Sequence, residues 1–447
     1  MVLQVFNTLG KMKELFIPLK KKEVRMYSCG LTVYDYGHIG NYRAFVVSDL
    51  FRRYLEFKGY KVKKITNITD VDDKTIRESI RNNVSLKKYT EVYEKAFFED
   101  EKILNIIKSD KYPRATDHIK DMIAIIEKLV GQHIAYKTDD GIYFNVKKFK
   151  DYGKLSGFKI GELKEGASAR VKKDEYNKEN ASDFALWKFY IPEDGNVFWS
   201  TKFGKGRPGW HIECSAMSTK YLGQPFDIHT GGIDLVFPHH ENEIAQSELA
   251  FNKQFAKYWL HNEWMMVDGK KMSKSLGNFY TVRDIIDKKF DPLSLRYFYL
   301  TGHYRTQLNF TIENLQNAEN SLKRLRTLIK DTKDDKKINK EYLKKFEEAM
   351  DDDFDTVAGL EILWEFIRNE NASGKIKTIK KIDSVLGLDL LRKDKLSIPD
   401  EVKKLVQERE DARKKKDWAR ADILRRKISE EGFQVSDTFE GPKIEKA

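Results

Sequence analysis

The hydrophobic pattern near the N-terminus predicts a strand, a helix and a second strand in succession. Residues 24–28 form an apolar-rich run that predicts a strand ending in a turn at Cys29-Gly30. A helix over about 40–58, closed by Gly59, is predicted by apolar residues at helical spacing: Ala44, Val47, Phe51, Tyr54 and Leu55. Residues 61–68 predict the second strand. Such a βαβ unit predicts a parallel sheet whose ligands bind beyond the carboxyl ends of the strands.

The remaining chain alternates between helical and mixed patterns. Residues 75–135 predict charged helices, 136–200 short strands and turns, and 200–290 a second α/β stretch. From about 310 the pattern is helical, with one apolar stripe formed by Leu315, Leu322, Leu325, Leu328 and Ile329. Residues 351–354 predict the start of another helix, and Pro399 indicates a boundary. The last helices should run through about 428 and end near Gly432.

Composition limits the class of protein. The 447 residues suggest two to four domains, and a net charge of +12 with a pI of about 9.1 suits a polyanionic partner, with nucleic acid first and a membrane surface second. A mean hydropathy of −0.62 and the lack of a long apolar run argue against a membrane protein, and no secretory signal is evident. Two cysteines far apart do not make a disulfide framework, so we expect a reducing, cytoplasmic compartment.

Those two cysteines are candidate metal ligands. Cys29 ends the first strand, Cys214 lies in a WHIEC run, and His239 and Glu243 are four residues apart on a predicted helix. Cysteine, histidine and glutamate side chains are good zinc ligands, and four of them can close a tetrahedron. Five of the nine histidines fall between His211 and His261, which favours the metal. The alternative is that both cysteines are small buried hydrophobes.

Two further segments suit phosphate binding. The predicted helix begins at Tyr36-Gly37-His38-Ile39-Gly40-Asn41, where unpaired N–H groups and the helix dipole would attract an anion. Residues 269–277 form a lysine and serine loop between glycines, which could close over phosphates. The alternatives are a capped helix with a surface histidine and an ordinary solvated loop.

Taken together, the motifs resemble those of cysteinyl-tRNA synthetases, a branch of the class I aminoacyl-tRNA synthetases. The resemblance runs from about residue 7 to about 441. It is carried by MYSCGLTVYDYGHIGN, NITDVDDK, ASDFALWK, GRPGWHIECSAM, FDIHTGGIDLVFPHHENEIAQ and MSKSLGN.

The resemblance implies an α/β fold with a Rossmann-like catalytic domain over 1–310. That domain would carry an inserted connective region over about 100–200 and a KMSKS loop at 271–275. A helical anticodon-binding bundle over 311–398 and a C-terminal anticodon-recognition segment over 399–447 would follow.

The resemblance also implies roles for particular residues. Zinc would be held by Cys29, Cys214, His239 and Glu243. The amino-acid pocket would be lined by Thr32, Trp210 and His229. Catalysis and ATP binding would fall to His38, Asn41, Lys271 and Lys274, with Gly40 also at the ATP site. Asn41 stands where the family's HIGH motif ends in histidine, so its amide can donate a hydrogen bond but carries no charge.

The implied activity is the ATP-dependent ligation of L-cysteine to tRNA(Cys) through a cysteinyl-adenylate, with Mg²⁺ accompanying ATP. One zinc ion per subunit would select the thiol, and we expect a monomer without a membrane partner. Zinc would favour cysteine over serine because a coordinated thiol loses its proton more readily than an alcohol.

Three other interpretations remain. Residues 204–209 fit G-x-G-x-x-G, but Pro208 and the distance from the first βαβ unit argue against a dinucleotide site. A related ligase that joins cysteine to an amino sugar in mycothiol synthesis would lack the helical region after 310. A non-catalytic RNA-binding relative would not need the zinc ligands, the HIGN helix start and the KMSKS loop together. Asp70, Asp72 and Asp73 could suggest a magnesium site, but a helix cap and polar turn explain them better.

Overall fold

The computed structural model describes residues 2–158, 183–272, 277–330, 332–392, 399–438 and 441–446. The chain divides into two compact units, Met1–Leu390 and Leu391–Ala447. None of the helices in these ranges is both long and apolar enough to span a bilayer.

The strands and helices of the first unit follow in chain order. They are β1 (Gln4–Asn7), β2 (Met12–Leu15), β3 (Glu23–Ser28), α1 (Ile39–Phe57), β4 (Lys61–Thr66), α2 (Asp73–Arg81), α3 (Leu86–Ile103), α4 (Ile119–Gly131), β5 (Ala135–Lys137), β6 (Gly141–Phe144), β7 (Phe184–Phe189), β8 (Trp199–Thr201), β9 (Gly204–Pro208), α5 (Trp210–Leu222), β10 (Phe226–Gly232), α6 (Glu241–Phe251), β11 (Ala256–Asn262), β12 (Met265–Val267), β13 (Lys270–Lys271), α7 (Val282–Asp287), α8 (Pro292–Leu300), β14 (Leu308–Phe310), α9 (Ile312–Lys330), α10 (Lys340–Asp351), α11 (Thr356–Arg368) and α12 (Lys375–Leu386).

A four-stranded parallel sheet forms the centre of the first unit, in the order β11-β10-β3-β4. The predicted βαβ unit is confirmed, because β3, α1 and β4 lie where the hydrophobic pattern placed them. Since all four strands run the same way, their carboxyl ends share one edge of the sheet. The α/β class predicted from sequence is therefore confirmed.

An antiparallel sheet is inserted between β4 and β10, in the order β5-β6-β7-β9-β8. The G-x-G-x-x-G sequence lies in and just after β9, so it is strand rather than a phosphate-binding turn. Its glycines allow close strand pairing instead: a Cβ on Gly206 would lie 2.3 Å from the Lys188 carbonyl oxygen. A Cβ on Gly209 would lie 1.9 Å from the Ala185 carbonyl oxygen. The geometry removes the dinucleotide interpretation.

The acidic residues after β4 have structural roles. Asp72 is the N-cap of α2 and accepts a hydrogen bond from the Lys74 amide. Asp70 accepts from Thr116, and Asp73 pairs with Arg207 and Lys188. The cap and turn interpretation is confirmed.

Two local predictions in the helical region were wrong. Residues 351–354 do not start a helix: Asp351 ends α10, and Asp355 caps α11 by accepting from the Val357 and Ala358 amides. Asp353 and Phe354 between them have φ of 59° and 57°, a left-handed conformation that no helix continues through. In α9, Leu328 is 38% exposed and does not belong to the buried stripe.

The second unit consists of α13 (Asp400–Lys414), α14 (Trp418–Glu430) and a hairpin of β15 (Phe433–Thr438) and β16 (Gly441–Lys446). Helix α14 ends at Glu430, which confirms the predicted end of the last helix near Gly432. The hairpin was not predicted. The unit has a small core in which Val402, Val406 and Ile428 pack against Phe433 and Val435. The sequence-based boundaries at 310 and 398 stay predictions.

Helix α1 is buried along most of its length, because it packs against β4, β10, α8 and α12. A helix buried on all sides must satisfy its polar side chains internally. Asp49 does so by accepting hydrogen bonds from Arg53 (2.7 Å) and Arg296 (2.6 Å) and from the Ile107 amide (2.8 Å).

We expect Asp49→Ala to lower the free energy of unfolding by about 3–5 kcal/mol, because it leaves two buried guanidinium groups without their carboxylate. Urea unfolding of the full chain, followed by circular dichroism, measures the loss. Glu91→Ala is the control, since Glu91 forms an exposed pair with Lys87 and its loss should change stability by less than about 1 kcal/mol. Equal effects of the two substitutions would contradict the role given to Asp49.

Candidate active site

The site begins where β3 and β4 end. Cys29 follows β3, and its amide donates to the Thr230 carbonyl of β10 at 3.2 Å. Gly30 follows and donates its amide to Asn67 Oδ1 at 2.8 Å. A Cβ on Gly30 would lie 1.6 Å from the Asn67 carbonyl oxygen, so only glycine permits this approach. The two strand ends are thereby held together beside the cysteine.

Four sequence-predicted ligands meet at this edge. Ligand atoms of Cys29, Cys214, His239 and Glu243 all lie within 4.8 Å of one another. Cys214 comes from α5, His239 from a π-helical turn (Val236–His240) and Glu243 from the following α6. The structure therefore brings together residues that are up to 214 positions apart.

The spacing within this group suits a tetrahedral zinc ion. The two sulfur atoms are 3.9 Å apart, and zinc–sulfur bonds of about 2.3 Å place two sulfurs of a tetrahedron about 3.8 Å apart. His239 Nε2 lies 2.9 Å from Glu243 Oε1. The other ring nitrogen of His239 lies 2.9 Å from His211 Nδ1, a second contact that would orient a ligating imidazole.

Electrostatics also favour a cation here. Burial opposes the charge on Glu243, but His229 and His239 lower its pKa to about 2, so the carboxylate is ionised. Hydrogen bonding from Cys29 lowers the pKa of the Cys214 thiol to about 6. Burial raises the pKa of the Cys29 thiol well above its usual value. The group thus holds one carboxylate and one easily ionised thiol, and a bound cation would favour ionisation of the second thiol.

Sequence reasoning assigned no individual role to His211, His240 or His261, which also lie around this group. His240 Nε2 lies 3.3 Å from Cys29 Sγ, and its Nδ1 lies 2.8 Å from His261. His261 in turn contacts the Thr8 hydroxyl at 2.8 Å. Cys29, His229, His240 and Glu243 form a second group whose ligand atoms lie within 4.8 Å of one another. The clustering of histidines between 211 and 261 was the available signal, but it did not distinguish ligand from neighbour.

The three predicted pocket residues occupy different positions. Trp210 is half-buried and its ring lies 4.2 Å from that of His239. Thr32 pairs with Thr69 in an isolated bridge beyond the ends of β3 and β4. His229 is fully buried, with Nε2 2.9 Å from Glu243 Oε2 and its ring stacked on Trp259 at 4.4 Å. His229 therefore supports Glu243 directly.

The start of α1 is a reciprocal cap. The main-chain N–H of Asn41 donates to His38 Nδ1 at 3.1 Å, and the main-chain N–H of His38 donates to Asn41 Oδ1 at 3.0 Å. Burial lowers the pKa of His38 to about 4, so its ring is neutral at pH 7. Since Nδ1 accepts, the ring proton is on Nε2, which makes that atom a hydrogen-bond donor. The side-chain oxygen of Asn41 accepts a hydrogen bond in the cap, so the side-chain NH₂ group is the part of Asn41 that can donate to a ligand.

Described residues at the edge of the lysine loop and just after it lie beside this helix start. The Ile39 amide donates to the Tyr280 carbonyl at 2.9 Å, and His38 pairs with Thr281 in a bridge. A Cβ on Gly40 would lie 3.6 Å from Met272 Cε. Lys271 is exposed in β13, with Nζ 5.7 Å from the centre of the Trp264 ring. Lys274 lies outside the described residues.

Comparison with known proteins identifies the class. Residues 15–320 match the tRNA synthetases class I (C) catalytic domain family, and 397–441 match the cysteinyl-tRNA ligase anticodon binding domain. The fold is similar to that of Mycobacterium tuberculosis methionyl-tRNA synthetase bound by methionyl-adenylate, with a TM-score of 0.57 and 12% identity, covering 82% of this chain and 88% of that one.

Curated relatives narrow the class. The chain is 47% identical to the cysteine–tRNA ligase of Brachyspira hyodysenteriae, over 98% of each protein. It is also 47% identical to that of Chlamydia felis, over 99% of this chain and 98% of the relative. The chain belongs to the cysteine–tRNA ligase family of class I aminoacyl-tRNA synthetases.

We expect His38 to make stability pH-dependent. Its folded pKa of about 4 lies below the unfolded value of about 6.5, so the unfolded chain binds more protons between these values, and stability falls there as the pH is lowered. At pH 5 the wild type should have lost about 2 kcal/mol relative to a His38→Asn variant, which retains a good cap.

Urea unfolding of both proteins at pH 7.5 and pH 5 measures this difference, because the pH dependence of all other groups cancels. His133→Asn, which removes an exposed histidine, is measured alongside as the control. A His38→Asn variant whose stability follows the wild type across this range would show that His38 is not buried as a neutral ring.

Proposed function

We propose that this protein activates L-cysteine with ATP to form cysteinyl-adenylate and then transfers the cysteinyl group to the 3′ end of tRNA(Cys). The observation that carries the proposal is the position of the Cys29, Cys214, His239 and Glu243 group. This group lies at the carboxyl edge of the parallel sheet. Helix α1, which follows β3 of that sheet, begins nearby in the chain with the His38 and Asn41 cap. Such an arrangement suits a thiol-containing substrate placed beside a triphosphate.

The four side chains would hold one zinc ion, and the 3.9 Å sulfur separation fits that ion. When bound, zinc would take the substrate's thiolate as an added ligand, which the hydroxyl of serine would replace poorly. His211 would keep His239 in position through its contact with His239 Nδ1, and His229 would keep Glu243 in position through its contact with Glu243 Oε2. Trp210, whose ring lies against His239, would cover one side of the amino-acid pocket.

Activation of cysteine needs positioning and charge compensation more than covalent help. The neutral His38 ring would donate from Nε2 to ATP, and the Asn41 NH₂ group would donate beside it. Lys271 and Lys274 would balance the charge that develops as pyrophosphate leaves, with Mg²⁺ accompanying the nucleotide. The helix start at Gly40 adds the positive end of the α1 dipole.

The second unit would bind the anticodon arm of the tRNA, as its family match suggests. It contains a cavity of about 510 Å³ lined by Asp422, Arg425, Arg426, Ser429 and residues 433–436. The net charge of +12 favours a large polyanion. We further propose a cytoplasmic location, because both cysteines must stay reduced to act as ligands, and we keep the sequence-based expectation of a monomer.

ATP–pyrophosphate exchange with each amino acid in turn, with and without a zinc chelator, tests the activation step. Of the amino acids tested, we expect only cysteine to support exchange, and we expect the chelator to abolish it. Exchange with serine should be more than about a hundredfold slower, a discrimination that the shape of the pocket alone would supply poorly. Comparable activation of serine would refute selection by zinc. Charging of tRNA(Cys), rather than of an amino sugar, separates the proposal from the mycothiol-type ligase.

We expect Glu243→Gln to weaken zinc binding by at least about tenfold, because the change removes an ionised ligand. Zinc content after dialysis against graded chelator, measured by mass spectrometry, gives the affinity. The matched control is Glu213→Gln: Glu213 is buried beside Cys214, burial raises its pKa well above the usual range, and glutamine resembles its neutral form. Equal zinc loss in both variants would contradict the ligand assignment.

We expect Lys274→Ala and Lys271→Ala to lower the rate of adenylate formation at least about a hundredfold while cysteine affinity changes little, because these charges act on the leaving pyrophosphate. Single-turnover kinetics and equilibrium dialysis with cysteine separate the two effects. Lys270→Ala is the control, since Lys270 neighbours Lys271 in β13 and its side chain points to the other face. A parallel fall in cysteine affinity would refute this role.

A further inference from the structure

Arg43 is a fully buried cation close to the start of α1, two residues after Asn41. Every hydrogen bond that its guanidinium makes within the described structure goes to a main-chain carbonyl oxygen. The acceptors are Glu263 (2.8 Å) and Trp264 (2.7 Å) for Nη1, and His303 (3.4 Å), Tyr304 (3.4 Å) and Thr306 (2.5 Å) for Nη2.

These five carbonyls belong to two segments that lead into one small sheet. Glu263 and Trp264 directly precede β12, and residues 303–306 precede β14. The sheet has the order β13-β12-β14, and β13 contains Lys271. One side chain of α1 therefore holds both entry segments of the sheet that carries Lys271.

The segment that follows the lysine loop in the chain is hydrogen-bonded to the same helix. There the Ile39 amide donates to the Tyr280 carbonyl, and His38 pairs with Thr281. Tyr299 adds a hydrogen bond of 2.6 Å from its hydroxyl to the Ile39 carbonyl. The segments before and after the loop are thus both hydrogen-bonded to α1. The first is held by Arg43 and the second by the start of the helix.

Arg43 also stabilises the fold, because the five carbonyl oxygens would lose a donor if an apolar side chain replaced it. Desolvation opposes the charge and lowers the pKa of Arg43 to about 10. The planar guanidinium offers several donors in a fixed geometry, which a single ammonium group cannot reproduce. The arrangement is suited to fixing two segments at one distance from the helix.

We propose that Arg43 is a positioning residue for ATP: it sets the separation between the phosphate-binding start of α1 and Lys271. This inference rests on the proposed function, in which both groups contact the same triphosphate. A shift of about 1 Å between them would reduce activation about a hundredfold, because the reacting groups must be held within narrow limits. Cysteine binding, which uses the other end of the site, would be spared.

The test compares Arg43→Met and Arg43→Lys with the wild type in full-length, zinc-containing protein. ATP–pyrophosphate exchange gives KM for ATP and kcat, and equilibrium dialysis gives cysteine affinity. We expect Arg43→Met to lower kcat/KM for ATP about a hundredfold with cysteine affinity within twofold. Arg43→Lys should recover part of the loss, because an ammonium group can bond some of the same carbonyls.

Arg326→Met is the control, since Arg326 is also a buried arginine, bonded to the Leu388 carbonyl and to the Asp291 carboxylate, but lies in α9. It should leave KM for ATP unchanged. Wild-type ATP parameters in the Arg43 variants, or an equal loss of ATP and cysteine binding, would overturn the proposal. If Arg43→Met does not fold, the KM for ATP of Arg43→Lys decides.

Calorimetric titration with ATP alone separates this inference from the proposed function. A wild type without cysteine-dependent exchange would refute the proposed function. The ATP affinity of the Arg43 variants would still test the positioning role, which predicts weaker binding than in the wild type and in Arg326→Met.

Discussion

The ionised carboxylate of Glu243 is the feature on which the candidate site depends. It is fully buried, and a carboxylate removed from water is tolerated only with compensating charge or hydrogen bonds. His229 on one oxygen and His239 on the other supply that compensation. These contacts fix α6 against β10 and bring His239 toward the two sulfurs. The same negative charge that holds the histidines is what makes the group suitable for a divalent cation.

Helix α1 connects this chemistry to the rest of the first unit. Its first turn presents the His38 and Asn41 cap, and Arg43 in the next turn holds the sheet that contains Lys271. Asp49, further along, is bonded to Arg296 of α8. A helix buried on nearly all sides usually carries apolar residues there. Here its buried polar groups each join it to a different part of the chain, so one rigid element sets the geometry of several sites.

Local pattern was enough to predict much of the fold. The strands β3 and β4 and the helix between them followed from the sequence, because their apolar residues recur at the spacing of a strand or a helix. The hairpin of β15 and β16 was missed, although Gly432, which was expected to end the last helix, directly precedes β15. The start of α11 was predicted at 351–354, whereas the helix begins at Thr356. The cause of the difference is tertiary: Asp353 accepts hydrogen bonds from the Phe6 main-chain amide and the Tyr304 hydroxyl, which hold the chain in a left-handed conformation.

The sequence by itself determined which chemical groups are available: two cysteines at predicted element ends, a histidine-rich segment, and a glycine-histidine helix start separated by about 230 residues from a lysine loop. Only the tertiary structure decided how they combine. It placed His239 beside Cys214 and Glu243, left His240 as a close neighbour of Cys29, and made His229 a support for Glu243. It also showed that Arg43, an unremarked residue within a helix, bonds to carbonyls more than 200 positions away. The reason is physical: periodicity reports which face of an element is buried, whereas the partner that covers that face is chosen by packing between distant segments.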